Sequence, residues 1–268
     1  MRPPPLLAFA FAFAFAALLL APALASAGVI DDGVGASKAV KVCIWPDYCG
    51  ITYRNPRTQQ LGGIDIELAA QRALDLGAAV TWVDSSFPKL IEDLSTDKCD
   101  VAMVAIGVLP ARQPVLKFIQ PYLQSDIYGV TTRSHRHIKT WADVDQPGVQ
   151  VAVQAGTFIG PVMAATLKQA RMVVVKPPMT REAELEAGRV GVFMTDYAYS
   201  RRLLDNADWA RLVAPTAPFH VLPYAYAVKP GDQAWLKRVD DFVLRIKKDG
   251  RLEAAAKRNG LSDIVLAK

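Results

Sequence analysis

Histidine and cysteine are scarce in this chain, three of each in 268 residues, and that scarcity removes much of the common chemistry. CxxC and HExxH spacings do not occur and no His lies near a cysteine, so no metal site is expected. GxSxG and a P-loop are missing too, so neither a nucleophile elbow nor a nucleotide cradle is expected, and no cofactor. Charge of one sign is not concentrated. The formal net charge is +5, and no run of Lys and Arg interleaved with aromatic residues supports nucleic-acid binding. His135 and His137 fall in a basic turn, Arg133–His137, and read as solvated. Gly and Pro, 17 and 18 residues, are at ordinary levels, which excludes collagen-like and disordered chains.

One long apolar run is present. Leu6–Ala21 holds no polar side chain, follows the positive start Met1-Arg2 and is broken by Pro22. It is shorter than the roughly 20 residues of a membrane-spanning helix, and it leads into Ala25-Ser26-Ala27, the small-x-small pattern of a signal-peptidase site. Residues 1–27 therefore read as a signal peptide, and the protein is expected in the periplasm. No Cys follows the run, so a lipid anchor has no support.

Export gives the cysteines a meaning, because an oxidising compartment pairs them. Cys43 lies in the apolar run 39–45 and Cys99 opens a second, 99–106. If those two strands are neighbours, a Cys43–Cys99 bridge is feasible and Cys49 stays free. A Cys43–Cys49 pair, closing a small loop, is the alternative.

Beyond a Gly/Asp/Ser-rich leader at 28–38, expected to be loose, strand and helix patterns alternate. Strands are expected at 40–45, 80–83 and 99–108, the last nearly all apolar, as in a parallel sheet covered on both faces. Between them, 64–76 has helical period with Ile66, Ala70, Ala73 and Leu74 on one face and Gly77 as its stop. A second helix starts at Ser86-Phe87-Pro88, with Leu90, Ile91 and Leu94 inward. After Pro121 the pattern restarts: strands at 126–132, 149–153, 172–175 and 190–194, and helices after Thr157, at 180–187 and at 197–205. A final strand at 224–228 and helices at 233–249 and 252–258 follow. The fold class is α/β, and two such units joined by extended segments imply a cleft between two lobes.

The order of the pieces resembles the periplasmic solute-binding proteins of polar-amino-acid importers, family 3. The resemblance is carried by Gly62-Gly-Ile-Asp-Ile-Glu-Leu68, Phe87-Pro-Lys-Leu-Ile91, Cys99-Asp-Val-Ala-Met103 with Pro110-Ala-Arg112, and Phe118-Ile-Gln-Pro-Tyr122. In the second half it is carried by Val151-Ala-Val-Gln-Ala-Gly-Thr157 and Gly188-Arg-Val-Gly-Val-Phe-Met-Thr-Asp196. It implies the type 2 periplasmic binding protein fold, two Rossmann-like lobes joined by two hinge strands, here near 124–128 and 222–226. Lobe 1 would hold residues 39–125 and 224–268, and lobe 2 residues 126–223. The implied function is capture of a small carboxylate-bearing ligand, an amino acid or a related acid, for delivery to an ABC permease in the inner membrane. The expected oligomeric state is a monomer, with no nucleic-acid partner.

The resemblance puts the family's carboxylate-binding arginine on Arg112. A guanidinium fork matches a carboxylate, and the position follows a strand's carboxyl end, where α/β ligands bind. Gly156 and Thr157 match a second anion contact, at a helix start that can offer N–H groups. Asp196 matches the acid that holds an α-ammonium, or else caps the following helix. Trp45, Tyr48 and Phe87 match lining positions of lobe 1. Gly107 and Phe158 replace hydroxyl residues common in the family, Ile159 replaces a polar one, and Gly191 stands where Asp is common. The pocket is therefore expected to be apolar and aromatic rather than built for a cationic side chain.

Two other readings share the fold. Residues 87–94 and 99–123 also resemble a secreted cyclohexadienyl dehydratase, which needs a carboxylic acid to protonate a leaving hydroxyl. The acid would follow the Gly-Thr of lobe 2, where this chain has Ile159, so no catalytic residue is expected. Relatives that serve as accessory proteins of periplasmic quinoprotein dehydrogenases place Cys at the equivalents of 43 and 99. The Arg112 and Asp196 pair favours a small zwitterion instead.

Overall fold

A computed structural model describes residues 29–267; the signal-peptide reading of residues 1–27 lies outside them. The chain opens with α1 (Val29–Ser37) and β1 (Ala39–Ile44). Three short strands, β2 (Asp47–Tyr48), β3 (Thr52–Arg54) and β4 (Leu61–Gly62), lead to α2 (Ile64–Leu76). Then follow β5 (Ala79–Asp84), α3 (Leu90–Ser95), β6 (Val101–Gly107), β7 (Lys117–Phe118) and β8 (Leu123–Ser125). The middle of the chain gives β9 (Ile127–Thr132), β10 (Gln150–Gln154), α4 (Ile159–Thr166), β11 (Arg171–Val175), α5 (Arg181–Glu186), β12 (Val192–Asp196), α6 (Tyr197–Asn206) and β13 (Ala210–Val213). It closes with β14 (Leu222–Val228), α7 (Gln233–Lys248) and α8 (Arg251–Arg258).

These strands form two principal sheets, one per lobe. The first runs β5-β1-β6-β14-β7, with β8 on β14; the second runs β11-β10-β12-β9-β13. Strands β5, β1 and β6 are parallel, and β14 joins them antiparallel. Every residue of β6 is buried, which suits a central strand covered on both faces. Two segments link the sheets, and they run side by side as β8 and β14, Leu222 opposite Ser125 and Tyr224 opposite Leu123. The Asp126 carboxylate accepts the N–H groups of Ile127, Phe219 and His220 at 2.7–2.8 Å and so ties both links together.

The segment 28–38, expected to be loose, contains α1, whose Ile30 and Val34 are buried. Its start is held by the Ile30 N–H donating to Asp232 at 2.8 Å. Asp232 also caps α7 through Trp235 N–H at 2.8 Å, so one buried carboxylate orients both helices.

Helix α2 ends on Gly77 in the left-handed conformation, as expected, but its inward face is rotated. Ile64, Asp65, Leu68, Ala69, Arg72 and Ala73 are buried, while Leu74 is 77% exposed and Ala70 faces solvent. The cause is Asp65, drawn inside by Tyr122 and Tyr226 hydroxyls and the Ala105 N–H at 2.6–2.9 Å. Helix α3 begins at Leu90 rather than at Ser86, whose carbonyl instead closes a turn, and Ile91 is 37% exposed while Leu90 and Leu94 are buried.

The two feasible cysteine pairings are resolved. Strand β1 lies beside β6, with Val42 opposite Val101. That brings Cys43 and Cys99 to a Cα separation of 5.5 Å, bonded as a disulfide, and leaves Cys49 free.

Candidate functional site

The cleft between the sheets is walled on one side by an aromatic cluster. Trp45 stands between β1 and β2, Tyr48 ends β2, and Phe87 precedes α3. Their ring centroids are 5.5–5.9 Å apart. The Thr52 hydroxyl donates to the Trp45 carbonyl at 2.7 Å and fixes that turn. From the other side Phe158 enters over Gly107 and Tyr224.

Arg112 ends a 3₁₀ turn, Pro110–Arg112, beyond the carboxyl end of β6. Its Nη1 donates to the Gly107 carbonyl at 3.1 Å, and its Nη2 crosses the cleft to the Gly156 carbonyl at 2.8 Å. Burial lowers its pKa from the usual arginine value. Gly156 was expected to offer an N–H; here its carbonyl meets the guanidinium. It has φ +77°, and a Cβ there would come 2.7 Å from Pro88 N, so only glycine lets the two walls approach this closely. Thr157 lines the cleft without capping α4: its hydroxyl donates to the Gln154 carbonyl at 2.8 Å, and the N-cap is Phe158, which offers no side-chain oxygen.

Asp196 ends β12 and caps α6, its Oδ1 accepting the Tyr199 N–H at 2.9 Å. Its Oδ2 accepts the hydroxyls of Tyr48, from the opposite wall, and of Tyr224 at 3.0 Å. The capping role and the cleft position therefore coincide. Burial raises the carboxyl pKa and these hydrogen bonds oppose the shift; burial and the Asp196 charge push the Tyr48 hydroxyl well above ordinary tyrosine.

The cleft thus brings together Trp45, Tyr48, Phe87, Gly107, Arg112, Thr157, Phe158 and Asp196, with Gly156 at its edge. It is nearly shut. The centre of a water molecule can range over about 30 Å³, within some 380 Å³ of unfilled space that includes the open mouth. The smaller figure decides what fits, which is one or two waters. The Arg112–Gly156 and Tyr48–Asp196 hydrogen bonds bridge the two walls across this space.

The family model for bacterial extracellular solute-binding proteins, family 3, matches residues 40–261. The chain belongs to this family. Cyclohexadienyl dehydratase of Pseudomonas aeruginosa is 30% identical over 224 residues, 82% of each chain. Amino-acid-binding protein AabA of Dichelobacter nodosus is 29% identical, over 80% of this chain and 85% of its own. Among solved structures, the ancestral amino acid-binding protein AncCDT-1, described as a precursor of cyclohexadienyl dehydratase, superimposes with a TM-score of 0.78 at 25% identity. That match covers 85% of this chain and 98% of that one.

Within this solute-binding frame the cleft holds residues that sequence reasoning passed over: Ala105, Thr195, Tyr199, Tyr224 and, with the largest consequence, Arg181. Arg181 opens α5 and is 4% exposed, with its guanidinium over Phe193 and Tyr199 at 5.1 and 4.7 Å and Nη1 donating to the Met194 carbonyl at 2.8 Å. One signal was available: a cation in a first helical turn opposes the helix dipole, so Arg there invites a reason. Among the described residues no helix is long and apolar enough to cross a membrane.

Proposed function

We propose that this chain is an exported solute-binding protein of the periplasm that captures a small carboxylate-bearing ligand, an amino acid or a related acid, between its lobes and delivers it to an ABC importer. Residues 39–125 with 224–268 would act as one lobe and 126–223 as the other, moving about the paired links β8 and β14. The observation that carries the reading is Arg112. Its guanidinium stands at the mouth of an aromatic cleft and spends its donors on two backbone carbonyls, one on each wall. A ligand carboxylate offers that fork two charged acceptors in place of neutral ones, so binding exchanges weaker bonds for stronger ones. Because the ligand would touch both walls, it would stabilise the closed form.

A dehydratase reading is supported by the Pseudomonas relative at 30% identity and by the resemblance of residues 87–94 and 99–123. Against it, the place of the acid, two residues beyond Thr157, is held by Ile159, buried and apolar, and Asp196 already accepts three hydrogen bonds. Among the described lining residues no carboxyl group other than Asp196 is present to protonate a leaving hydroxyl, and we read the protein as a binder.

The deciding experiment is mass spectrometry of small molecules released by denaturing natively purified protein. A carboxylic acid in about equimolar amount is expected. Recovery of a ligand with no acidic group would overturn the reading, and turnover of a cyclohexadienyl acid by purified protein would replace it with the enzyme.

A further inference from the structure

The cleft is charged asymmetrically. Its lining carries two guanidinium groups, Arg112 and Arg181, against one carboxylate, Asp196. That carboxylate already has its partners in Tyr48, Tyr199 N–H and Tyr224. An ammonium group arriving at Asp196 would have to displace hydroxyls that carry no charge, and would do so within the field of Arg181, which already acts on Asp196. Arg181 itself is buried, with Glu182 as a loosely placed counter-ion and Asp196 within its field. Glu182 Oε1 stands 3.9 Å away, beyond hydrogen-bond distance, and instead accepts the Tyr199 hydroxyl at 2.9 Å. A buried guanidinium that makes no hydrogen bond to its counter-ion gains from a negative ligand and opposes a positive one. A ligand with a cationic side chain would find no second carboxylate among the described lining residues.

We infer that the cleft takes an organic anion without an ammonium group, a carboxylic acid with an aromatic or apolar body, and that Tyr48 and Arg181 are the residues that discriminate against amino acids. The body would lie among Trp45, Phe87 and Phe158, and the acid would meet Arg112. The inference rests on the carboxylate reading proposed above.

Calorimetric titration with 3-phenylpropanoate, L-phenylalanine and L-arginine tests it, because the first two share a skeleton and differ by the ammonium. The wild-type protein is expected to bind 3-phenylpropanoate at least tenfold more tightly than L-phenylalanine, and L-arginine more weakly still. Tyr48→Phe keeps the ring, frees one lone pair of Asp196 and should narrow the gap below threefold. Arg181→Gln should narrow it as well; should that buried substitution fail to fold, the Tyr48→Phe result decides. Tighter binding of either amino acid by the wild type, or an unchanged gap in Tyr48→Phe, overturns the inference. If amino-acid binding is then lost in Arg112→Ala, the carboxylate site stands and only its selectivity was misread. Binding of none of the three, or binding that survives Arg112→Ala, sinks both.

Discussion

Leu222 and, less closely, Phe158 close over the space that a side chain at position 107 would need. A Cβ on Gly107 would stand 3.3 Å from Phe158 Cδ1 and 2.6 Å from Leu222 Cδ2. The absence of a side chain at 107 thus lets both Leu222 and Phe158 pack close to the wall. Gly107→Ser should lower stability by about 1–3 kcal/mol through overpacking, and Phe158→Ala by about 3 kcal/mol through the cavity it leaves. Because the sites touch, the double variant should cost less than the two losses combined by at least about 0.5 kcal/mol. Urea unfolding of all four proteins measures this, and strict additivity would contradict the contact.

Arg112→Ala should act twice. With the natively bound acid, affinity should fall by roughly 2–5 kcal/mol, thirtyfold or more, while the fold stays intact. Without ligand, loss of the Arg112–Gly156 bond should loosen the closed form, seen as a larger radius of gyration by small-angle scattering. Unchanged affinity would exclude Arg112 as the carboxylate contact.

The bridge between Cys43 and Cys99 spans 56 residues of chain. In the chain-entropy view, removing it with paired Cys→Ala changes should cost on the order of 4 kcal/mol. A non-reducing peptide map should show this bridge alone. Burial pushes the Cys49 thiol up to about 11, so Cys49 should alkylate slowly at pH 8 compared with a free thiol. Rapid alkylation in the folded state would contradict its placement.

Asp65 sets a pH dependence of unusual sign. Burial pushes its carboxyl up to about 7 from 3.8, against the hydrogen bonds from Tyr122, Tyr226 and Ala105. Between pH 3.8 and about 7 the folded chain keeps the proton that the unfolded chain has lost. This residue's contribution is therefore full below pH 3.8 and falls as pH rises to 7, by a few kcal/mol at most. Asp93, Asp143, Asp145 and Asp249 have lowered values and contribute the opposite slope. The readout is thus the difference between wild type and Asp65→Asn across that window. The variant should gain stability relative to wild type as pH rises, whatever its baseline; a flat difference would exclude the shift. The same residue holds Ala105, whose φ of +43° inside β6 is a backbone conformation that alanine rarely adopts.

Much was legible in the linear pattern because it depends on neighbours along the chain. Alternating apolar strands and 3.6-period helices marked nearly every long element, and Gly77 ended α2 through its own backbone freedom. The family resemblance, rather than any period, pointed to Arg112 and Asp196, and their places at the carboxyl ends of strands agreed with it. The short strands β2–β4 and β13 went unread, being too brief to show a period. The inward face of α2 followed the buried carboxylate of Asp65 rather than the greasiest stripe, because hydrogen bonds from distant tyrosines outweighed the exposure of Leu74. One of the hydroxyls that reach Asp196 comes from 148 residues away, and one of the carbonyls that meet Arg112 from 44. No local periodicity encodes such pairs. They exist only when two separately folded sheets close face to face, and that closure decides whether Asp196 is open to an ammonium or already satisfied by a tyrosine.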